Sequence, residues 1–372
     1  MHANQQQAPV EQTSKARNGA IDFLKFLFAL LIVVLHSRNF ATGPGALFPG
    51  GSIAVEFFFV VSGFLMAQSA KRIHLTDDFS TGPATARFIG RKIKGFLPHI
   101  YVAWVIAFFV KNFFSFESIA TVFKRGLFSL FELLFVTHSG LMVFRANAAT
   151  WYISAMLLAM ALLYPLLIKN RKLFLYLIAP LISIFLLGWM LQSWEDGFVG
   201  PSRWLGFAHK GVVRAVGEIA LGCVCYQLCT QLKRLTPTKL FSILLGIAEV
   251  GCYAFVVTYA FFRGHSSMDF VLLLILAVGI TITFSQNSIT ASWFKSPVFP
   301  WLGMFSFDLF LSHGYWSNVM LDMFPNLTYR QIFPIYLLIS FATALFVWLV
   351  SRVISKHWKT FTGFLKRKLV VS

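Results

Sequence analysis

Residues 17–40, RNGAIDFLKFLFALLIVVLHSRNF, decide the fold class of this chain. Most side chains in the stretch are apolar, and the ionisable residues Lys25 and His36 lie among them. A helix of about 20 apolar residues is long enough to cross the hydrocarbon of a bilayer. Charge inside hydrocarbon is costly, so ionisable side chains there usually face the interior of a helix bundle. The stretch therefore predicts a transmembrane helix with polar groups turned toward other helices.

Similar apolar stretches run the length of the chain. The candidate spans lie near 21–37, 52–70, 95–113, 148–168, 173–193, 211–229, 239–261, 268–285, 301–320 and 331–353. The 372 residues are 57% apolar and 12% charged, whereas soluble domains carry roughly 25% charged residues. We predict an all-α, polytopic membrane bundle of about ten helices.

Three segments complete the predicted organisation. Residues 120–138 are apolar but contain Lys124, Arg125 and Glu132, so they predict one extra re-entrant or interfacial helix. We expect a short cytoplasmic tail at 1–16, a transmembrane domain at 17–355 and a basic cytoplasmic tail at 356–372.

The distribution of positive charge predicts the topology. With the N-terminus inside, the cytoplasmic segments contain 21 of the 32 Lys and Arg residues. This bias follows the positive-inside rule and places both termini in the cytoplasm of a multi-pass protein of the cell (inner) membrane. The net charge of +18 is therefore mainly a topology signal. Membrane lipids are expected partners, and nucleic acid is not.

Four cysteines fall inside predicted spans, at positions 223, 225, 229 and 252. The spacing of residues 223–229, CVCYQLC, superficially suggests a metal site. Apolar surroundings without nearby histidine favour packed thiols, because free Cys is commonly buried. We predict no metal site.

Lys25 and His36 are eleven residues apart, which is close to three helical turns, so both project from nearly the same face. They are separated by roughly 16 Å along the axis. Lys25 would lie near the cytoplasmic mouth and His36 farther across the membrane. A cation and a proton acceptor in these places would suit a long substrate with its anionic head inside and its reactive end directed outward. Equally, Lys25 could extend to the interface and His36 could be an interfacial histidine.

The second span, GGSIAVEFFFVVSGFLMAQ (50–68), places Glu56 near the depth of His36. Helices joined by a short loop are usually neighbours, so we expect a contact between Glu56 and His36. A carboxylate beside a histidine fixes its tautomer and raises its basicity, which prepares a general base. The alternative is a buried ion pair that only joins two helices. At Ser62 and Gly63, small side chains should let helices approach closely.

Four blocks, in order, resemble the membrane-bound acyltransferase 3 family. Lys25-x10-His36 is similar to its hallmark of Arg or Lys, ten residues and His. VEFFFVVSGFLMA (55–67) resembles its V-D/E-x-FF-x-x-SGFL signature. RFIGRKIKGFLPHIY (87–101) resembles its basic loop, and LGMFSFDLFLSHGYW (302–316) its L-G-x-x-S-Y/F-x-x-Y/F-L-x-H block. The similarity covers roughly residues 17–353.

The resemblance implies an enzyme that moves an acyl group, usually acetyl, from cytoplasmic acyl-CoA to extracytoplasmic acceptors that are often glycans. It implies that acyl-CoA is a substrate and not a bound cofactor. Its catalytic positions correspond to His36, Glu56 and His313. Its donor-binding positions correspond to Lys25, Arg91, Lys92 and Lys94. Many relatives have a Glu in the fourth span where this chain has Ala155 and Met156, which puts in doubt a catalytic acid from that helix.

The predicted topology places further polar residues in the outer half. Asn147 and Trp151 would form a rim on which a sugar ring could stack. Arg214 could stabilise an oxyanion, or it could form an i, i+4 ion pair with Glu218. His313 could be a second acid/base or a helix-packing residue. Asp308 could form an ion pair with Lys25 across the bundle.

We expect O-acetyl transfer to a hydroxyl of a cell-surface polysaccharide or its lipid-linked precursor. The rival is a transporter or flippase of a lipid-linked glycan, because intramembrane charges also serve transport. Paired half-sequences, which inverted-repeat transporters carry, are not evident. The acceptor, the acylated position, the acyl chain and the oligomeric state do not follow from the sequence. Neither does the choice between direct transfer and an acyl-enzyme, nor the need for a partner protein.

Overall fold

The computed structural model describes residues 17–41, 47–71, 73, 80–113, 118–141, 145–193 and 197–370, with side chains as far as residue 357. The predicted tail at 1–16 lies outside these residues. The helices are α1 (Gly19–His36), α2 (Ala54–Ala70), α3 (Thr81–Phe113), α4 (Ile119–Ser129), α5 (Thr150–Lys169), α6 (Arg171–Leu173), α7 (Ala179–Ser193), α8 (Lys210–Leu232), α9 (Lys239–Phe262), α10 (Met268–Ser285), α11 (Val298–Met323) and α12 (Tyr329–Val370). A π-helical turn at Phe174–Ile178 joins α6 to α7.

The prediction of an all-α, multi-pass membrane bundle is confirmed. Nine helical segments of the described chain are long and apolar enough to cross a membrane. Helix α11 is a tenth long helix, with 26 residues, and at about 1.5 Å per residue its length suffices to cross. In the described residues, β pairing is confined to an isolated bridge between Trp204 and His209.

Helix α4 corresponds to the predicted extra element. It has 11 residues, which at about 1.5 Å per residue span roughly 16 Å and cannot cross the hydrocarbon. Ser118 caps its start by accepting from the N–H of Thr121. A short 3-10 turn at Leu130–Glu132 follows. Ser129 at the end of α4 and Glu132 in this turn are both buried.

Helices α2 and α8 cross at very close range because glycines face each other at the contact. A Cβ on Gly63 would lie 2.0 Å from the Ile219 carbonyl oxygen, and one on Gly222 would lie 2.1 Å from that of Val60. Only glycine fits at either position. The expected close approach at Gly63 is therefore present, and it holds the polar residues at the far end of α2 against α8.

The basic segment is helical, and the prediction of a loop is wrong in this respect. Helix α3 begins at Thr81 and runs through Pro98 to Phe113, so the positive residues lie on a regular helix ahead of the apolar part. Arg91 and Lys94 are exposed, whereas Lys92 is half-buried. The helix thus turns one of its cations inward.

Candidate active site

Lys25 is anchored within the bundle by an acidic neighbour on its own helix. Its Nζ lies 3.3 Å from Oδ1 of Asp22. The same carboxylate accepts two hydrogen bonds from Arg17, each 2.9 Å long. Asp22 is almost fully buried, while 24% of the Lys25 side chain remains exposed. The ammonium group is therefore fixed in place and still reachable.

A cavity of about 300 Å³ lies between Lys25 of α1 and residues of α2, α3, α5 and α11. Lys92 lines it together with Lys25, so two cations share it. The structure gives Lys92 no carboxylate partner among the described residues; its Nζ lies 5.3 Å from the centre of the Phe88 ring. The rest of the lining includes Phe58, Ser62, Leu65, Phe96, Tyr152, Met156, Phe307 and Phe310. This chamber could hold an anionic group beside an apolar chain.

His36 sits at the C-terminal end of α1 with a defined tautomer. Its Nδ1 lies 2.8 Å from the carbonyl oxygen of Ile32, which can only accept, so Nδ1 carries the proton. A neutral imidazole with Nδ1 protonated leaves the lone pair on Nε2. The side chain is half-buried. His36 can therefore act as a general base at Nε2.

His313 is the partner of His36. The two rings meet edge to face with centroids 4.8 Å apart, and His313 is 2% exposed. On its other side, the His313 ring lies 5.9 Å from that of Phe310, which lines the cavity. Phe310 of α11 thus lines the cavity with the two lysines and also packs against the histidine pair.

Glu56 does not orient His36, so the expected contact is wrong. Its carboxylate faces Arg214 on α8, with 2.6 Å between Oε1 and Nη2. The hydrogen bonds and ion pairs found across the described residues include none between Glu56 and His36. The Ile32 carbonyl takes the orienting role, because the close crossing of α2 and α8 offers Glu56 a stronger cationic partner.

Arg214 is the centre of a buried ionic cluster, which we call the Arg214 cluster: Arg214, Glu56 and Glu218. Besides Glu56, the guanidinium donates through Nε to Glu218 at 3.0 Å and through Nη1 to the carbonyl oxygen of Phe198 at 2.9 Å. The ring of Trp151 packs 5.9 Å from it. The predicted i, i+4 pair is present. Arg214 is 2% exposed, so this arrangement gives an acceptor no access to it.

Asn147 does not form an open rim. It is fully buried, and its side chain donates to the carbonyl oxygen of Leu311 at 2.8 Å and accepts from the N–H of Ala149 at 3.0 Å. Its own N–H donates to Glu132, whose pKa is raised to about 8 by burial. All its groups are occupied in connecting the start of α5 to α11, and Trp151 next to it is half-buried over the Arg214 cluster.

Asp308 pairs with a histidine and not with Lys25. Its Oδ1 lies 2.6 Å from Nδ1 of His99 on α3. The sequence interpretation missed both His99 and Asp22. The spacing of Asp22 and Lys25 at i, i+3 was a usable signal for the second, whereas nothing local links His99 to a residue 209 positions away.

The cysteines lie away from these groups. Cys223, Cys225 and Cys229 are buried in α8, and Cys223 contacts the Gly63 carbonyl at the glycine crossing. Among the described residues, no three His, Cys, Asp or Glu side chains are grouped so as to hold a metal ion.

Comparison with known proteins gives a family. The model of an acyltransferase domain, that of the acyltransferase 3 family, matches residues 18–352. The chain belongs to this family. No curated protein and no solved structure matches it. The multi-pass acyltransferase therefore contains its family domain over nearly all of its length, and the cavity and histidine pair lie wholly within that domain.

Proposed function

We propose that this acyltransferase takes an acyl group, most simply acetyl, from cytoplasmic acyl-CoA and transfers it to a hydroxyl of an extracytoplasmic acceptor. The acceptor class we propose is a cell-surface polysaccharide or its lipid-linked precursor. One observation carries the proposal: a cavity with two lysines is lined by Phe310, which packs against His313, and His313 packs against His36, whose Nε2 is available to take a proton. Family membership supports acyl transfer in general.

The chemistry of the cavity lining supports acyl-CoA as the proposed donor. Coenzyme A combines phosphates with a long, thin arm that ends in the thioester. Lys25 and Lys92 supply charge for an anionic group, and the apolar lining beyond them suits the arm. Lys25 and His36 are eleven residues apart on one helix, roughly 16 Å, a distance that an extended arm can cover. Arg91 and Lys94, exposed on the same stretch of α3, would attract the phosphates from outside the cavity.

The chemical step needs only groups that are present. His36 Nε2 removes the proton of the acceptor hydroxyl, and the hydroxyl oxygen attacks the thioester carbonyl carbon. The new C–O bond forms, the C–S bond breaks, and the leaving thiolate takes up the proton held by His36, which gives coenzyme A and restores the neutral imidazole. The His313 ring, packed against His36, can donate a hydrogen bond to the developing oxyanion. Glu56 contributes indirectly, by holding α2 to α8.

Loss of the base tests the proposal. A positioned general base contributes about 10²- to 10⁴-fold to a rate, so His36→Ala and His36→Gln should each lower acetyl transfer by at least about a hundredfold. The assay is transfer of labelled acetyl from acetyl-CoA to membrane glycans, with release of coenzyme A measured alongside. His357→Ala, an exposed imidazole in the C-terminal half of α12, is the matched control and should keep the wild-type rate. A His36→Ala protein that transfers at the wild-type rate would remove the mechanism.

A further inference from the structure

Three aromatic rings in the lining of the cavity pack against one another: Phe58, Tyr152 and Phe310. The centroid of the Phe310 ring lies 5.7 Å from that of Tyr152 and 6.4 Å from that of Phe58. The Phe58 and Tyr152 centroids are 6.2 Å apart. These separations fall within the range of about 4.5–7 Å for interacting aromatic pairs. We call the three rings the ring cap, and the chemical step described above uses none of them.

The ring cap lies at the end of the cavity nearer to the histidine pair. Helix α11 passes Asp22, the partner of Lys25, at Gly303, where a Cβ would overlap the Asp22 carboxylate. Phe310 follows Gly303 by seven residues, which is roughly 10 Å along the axis, and His313 follows by one further turn, roughly 5 Å. Lys25 is therefore at one end of the cavity, and Phe310 is at the other with His313 beyond it.

The ring of Phe310 separates the cavity from the histidine pair. Ser62 donates to Sδ of Met156 at 3.4 Å, which leaves its oxygen to accept from the Tyr152 hydroxyl at 3.3 Å, so Tyr152 is fixed by a hydrogen bond. Phe310 packs against this fixed ring on the cavity side, and its centroid lies 5.9 Å from that of His313. Only 9% of Phe310 is exposed. It is thus enclosed by rings from both directions.

The position of the ring cap constrains the acyl group of a donor held at Lys25. His36 lies roughly 16 Å from Lys25 along α1, whereas Phe310 lies only roughly 10 Å along α11 from its contact with Asp22. An arm that brings its thioester to His36 therefore passes the ring cap, and the acyl chain passes with it. Extra methylene groups between closely packed side chains displace those side chains at a cost in free energy. A short acyl group meets less of this resistance than a long one.

We propose that the ring cap determines which acyl group is transferred: it admits acetyl and excludes chains of six or more carbons. This inference rests on the proposed function, because it takes acyl-CoA to enter the cavity. Phe310 is the decisive member, since it stands between the cavity and His313 while Phe58 and Tyr152 support its ring. A small side chain at position 310 opens space beside the histidine pair that a longer chain fills.

Phe310→Ala tests the ring cap on the full-length protein in detergent, with membrane glycans as acceptor. The measured quantity is kcat/KM for acetyl-CoA divided by kcat/KM for hexanoyl-CoA, a ratio that does not depend on the amount of folded protein. An apolar pocket discriminates a single methylene by about 10- to 200-fold, so the wild type should favour acetyl by at least about a hundredfold. Phe310→Ala should lower the ratio by at least about tenfold.

Phe305→Ala is the matched control. It removes a buried ring from the same helix, but Phe305 packs against Trp301 and Phe341 and is not part of the cavity lining. The control should keep the wild-type ratio even if less folded protein is recovered. An unchanged ratio in Phe310→Ala, or a wild type that transfers hexanoyl as readily as acetyl, would overturn the ring cap while acyl transfer at His36 stands.

Equilibrium binding separates the ring cap from the transfer mechanism, because it needs no base. The His36→Ala protein retains the ring cap and should bind acetyl-CoA at least about tenfold more tightly than hexanoyl-CoA. The double variant His36→Ala, Phe310→Ala should bind both thioesters alike. Equal binding with the ring cap intact would overturn this inference whatever the outcome of the transfer assay, and failure to bind either thioester would overturn both proposals.

Discussion

The Arg214 cluster and the pair of His36 and His313 are both polar groups inside a hydrophobic bundle, yet they are built in opposite ways. Arg214 has two carboxylates and a carbonyl oxygen around one guanidinium, and it is closed to solvent. His36 has one carbonyl partner, keeps Nε2 available and connects through His313 and Phe310 to a cavity.

The difference separates a structural polar group from a chemical one. A buried charge is tolerated when its neighbours compensate it, and breaking such a set is costly because the remaining charges lose their partners. A catalytic histidine needs the opposite arrangement. A hydrogen bond holds one ring nitrogen in place, and the other nitrogen has no partner and can accept a proton. On this criterion Arg214 and Glu56 hold the helices together, while His36 is equipped for proton transfer.

The largest expected effect is on stability, through Arg214→Met. Removal of the guanidinium leaves two carboxylates buried against each other, and breaking a buried ion pair typically costs about 3–5 kcal/mol. We expect a large drop in the thermal unfolding midpoint of the protein in detergent, together with poor expression.

A neutral version of the cluster sharpens this result. The triple variant Arg214→Met, Glu56→Gln, Glu218→Gln has no charge to leave unpaired, so it should regain most of the lost stability and transfer acetyl. A stable triple variant that transfers no acetyl would show that the cluster takes part in chemistry, and the comparison between the two regions would then fail.

His313→Gln should have the next largest effect, this time on rate. The variant keeps a hydrogen-bonding side chain but loses the imidazole beside His36, so we expect kcat to fall about 10- to 100-fold, or roughly 1.4–2.7 kcal/mol, with little change in the unfolding midpoint. Oxyanion stabilisation persists when the general base is removed. The double variant His36→Ala, His313→Gln should therefore be slower than His36→Ala; a double variant with the same rate would mean that His313 acts only by positioning His36.

Much of the fold followed from the sequence because hydrocarbon imposes a length and an apolar composition on every helix that crosses it. That Lys25 and His36 lie on one helix also followed, since the apolar stretch that contains them is continuous. Partners across the bundle did not. Which helices lie side by side depends on contacts such as those of Gly63 and Gly222, and these decide that Glu56 meets Arg214.

The boundary of α3 and the role of Asn147 were missed for a different reason. Polar and basic residues at a helix end are compatible with a loop, so the hydropathy of 81–94 could not distinguish a helix outside the hydrocarbon from a connection. Asn147 was interpreted as exposed because it lies at a helix mouth, but its side chain and its N–H are all engaged by protein groups. A sequence shows a polar side chain without showing how its hydrogen bonds are satisfied.

The smallest expected effect compares two lysines on one helix. Lys92 lines the cavity, whereas Lys94, two residues farther on, is exposed. Lys92→Met should raise KM for acetyl-CoA about tenfold, the loss of roughly 1.4 kcal/mol of binding, and Lys94→Met should change it less than about twofold because an exposed charge is screened by salt. Both measurements use initial rates over a range of acetyl-CoA concentrations at one ionic strength. An equal rise in the two variants would mean that α3 attracts the donor by its net charge alone, and the cavity would then lose its role in holding the anionic group.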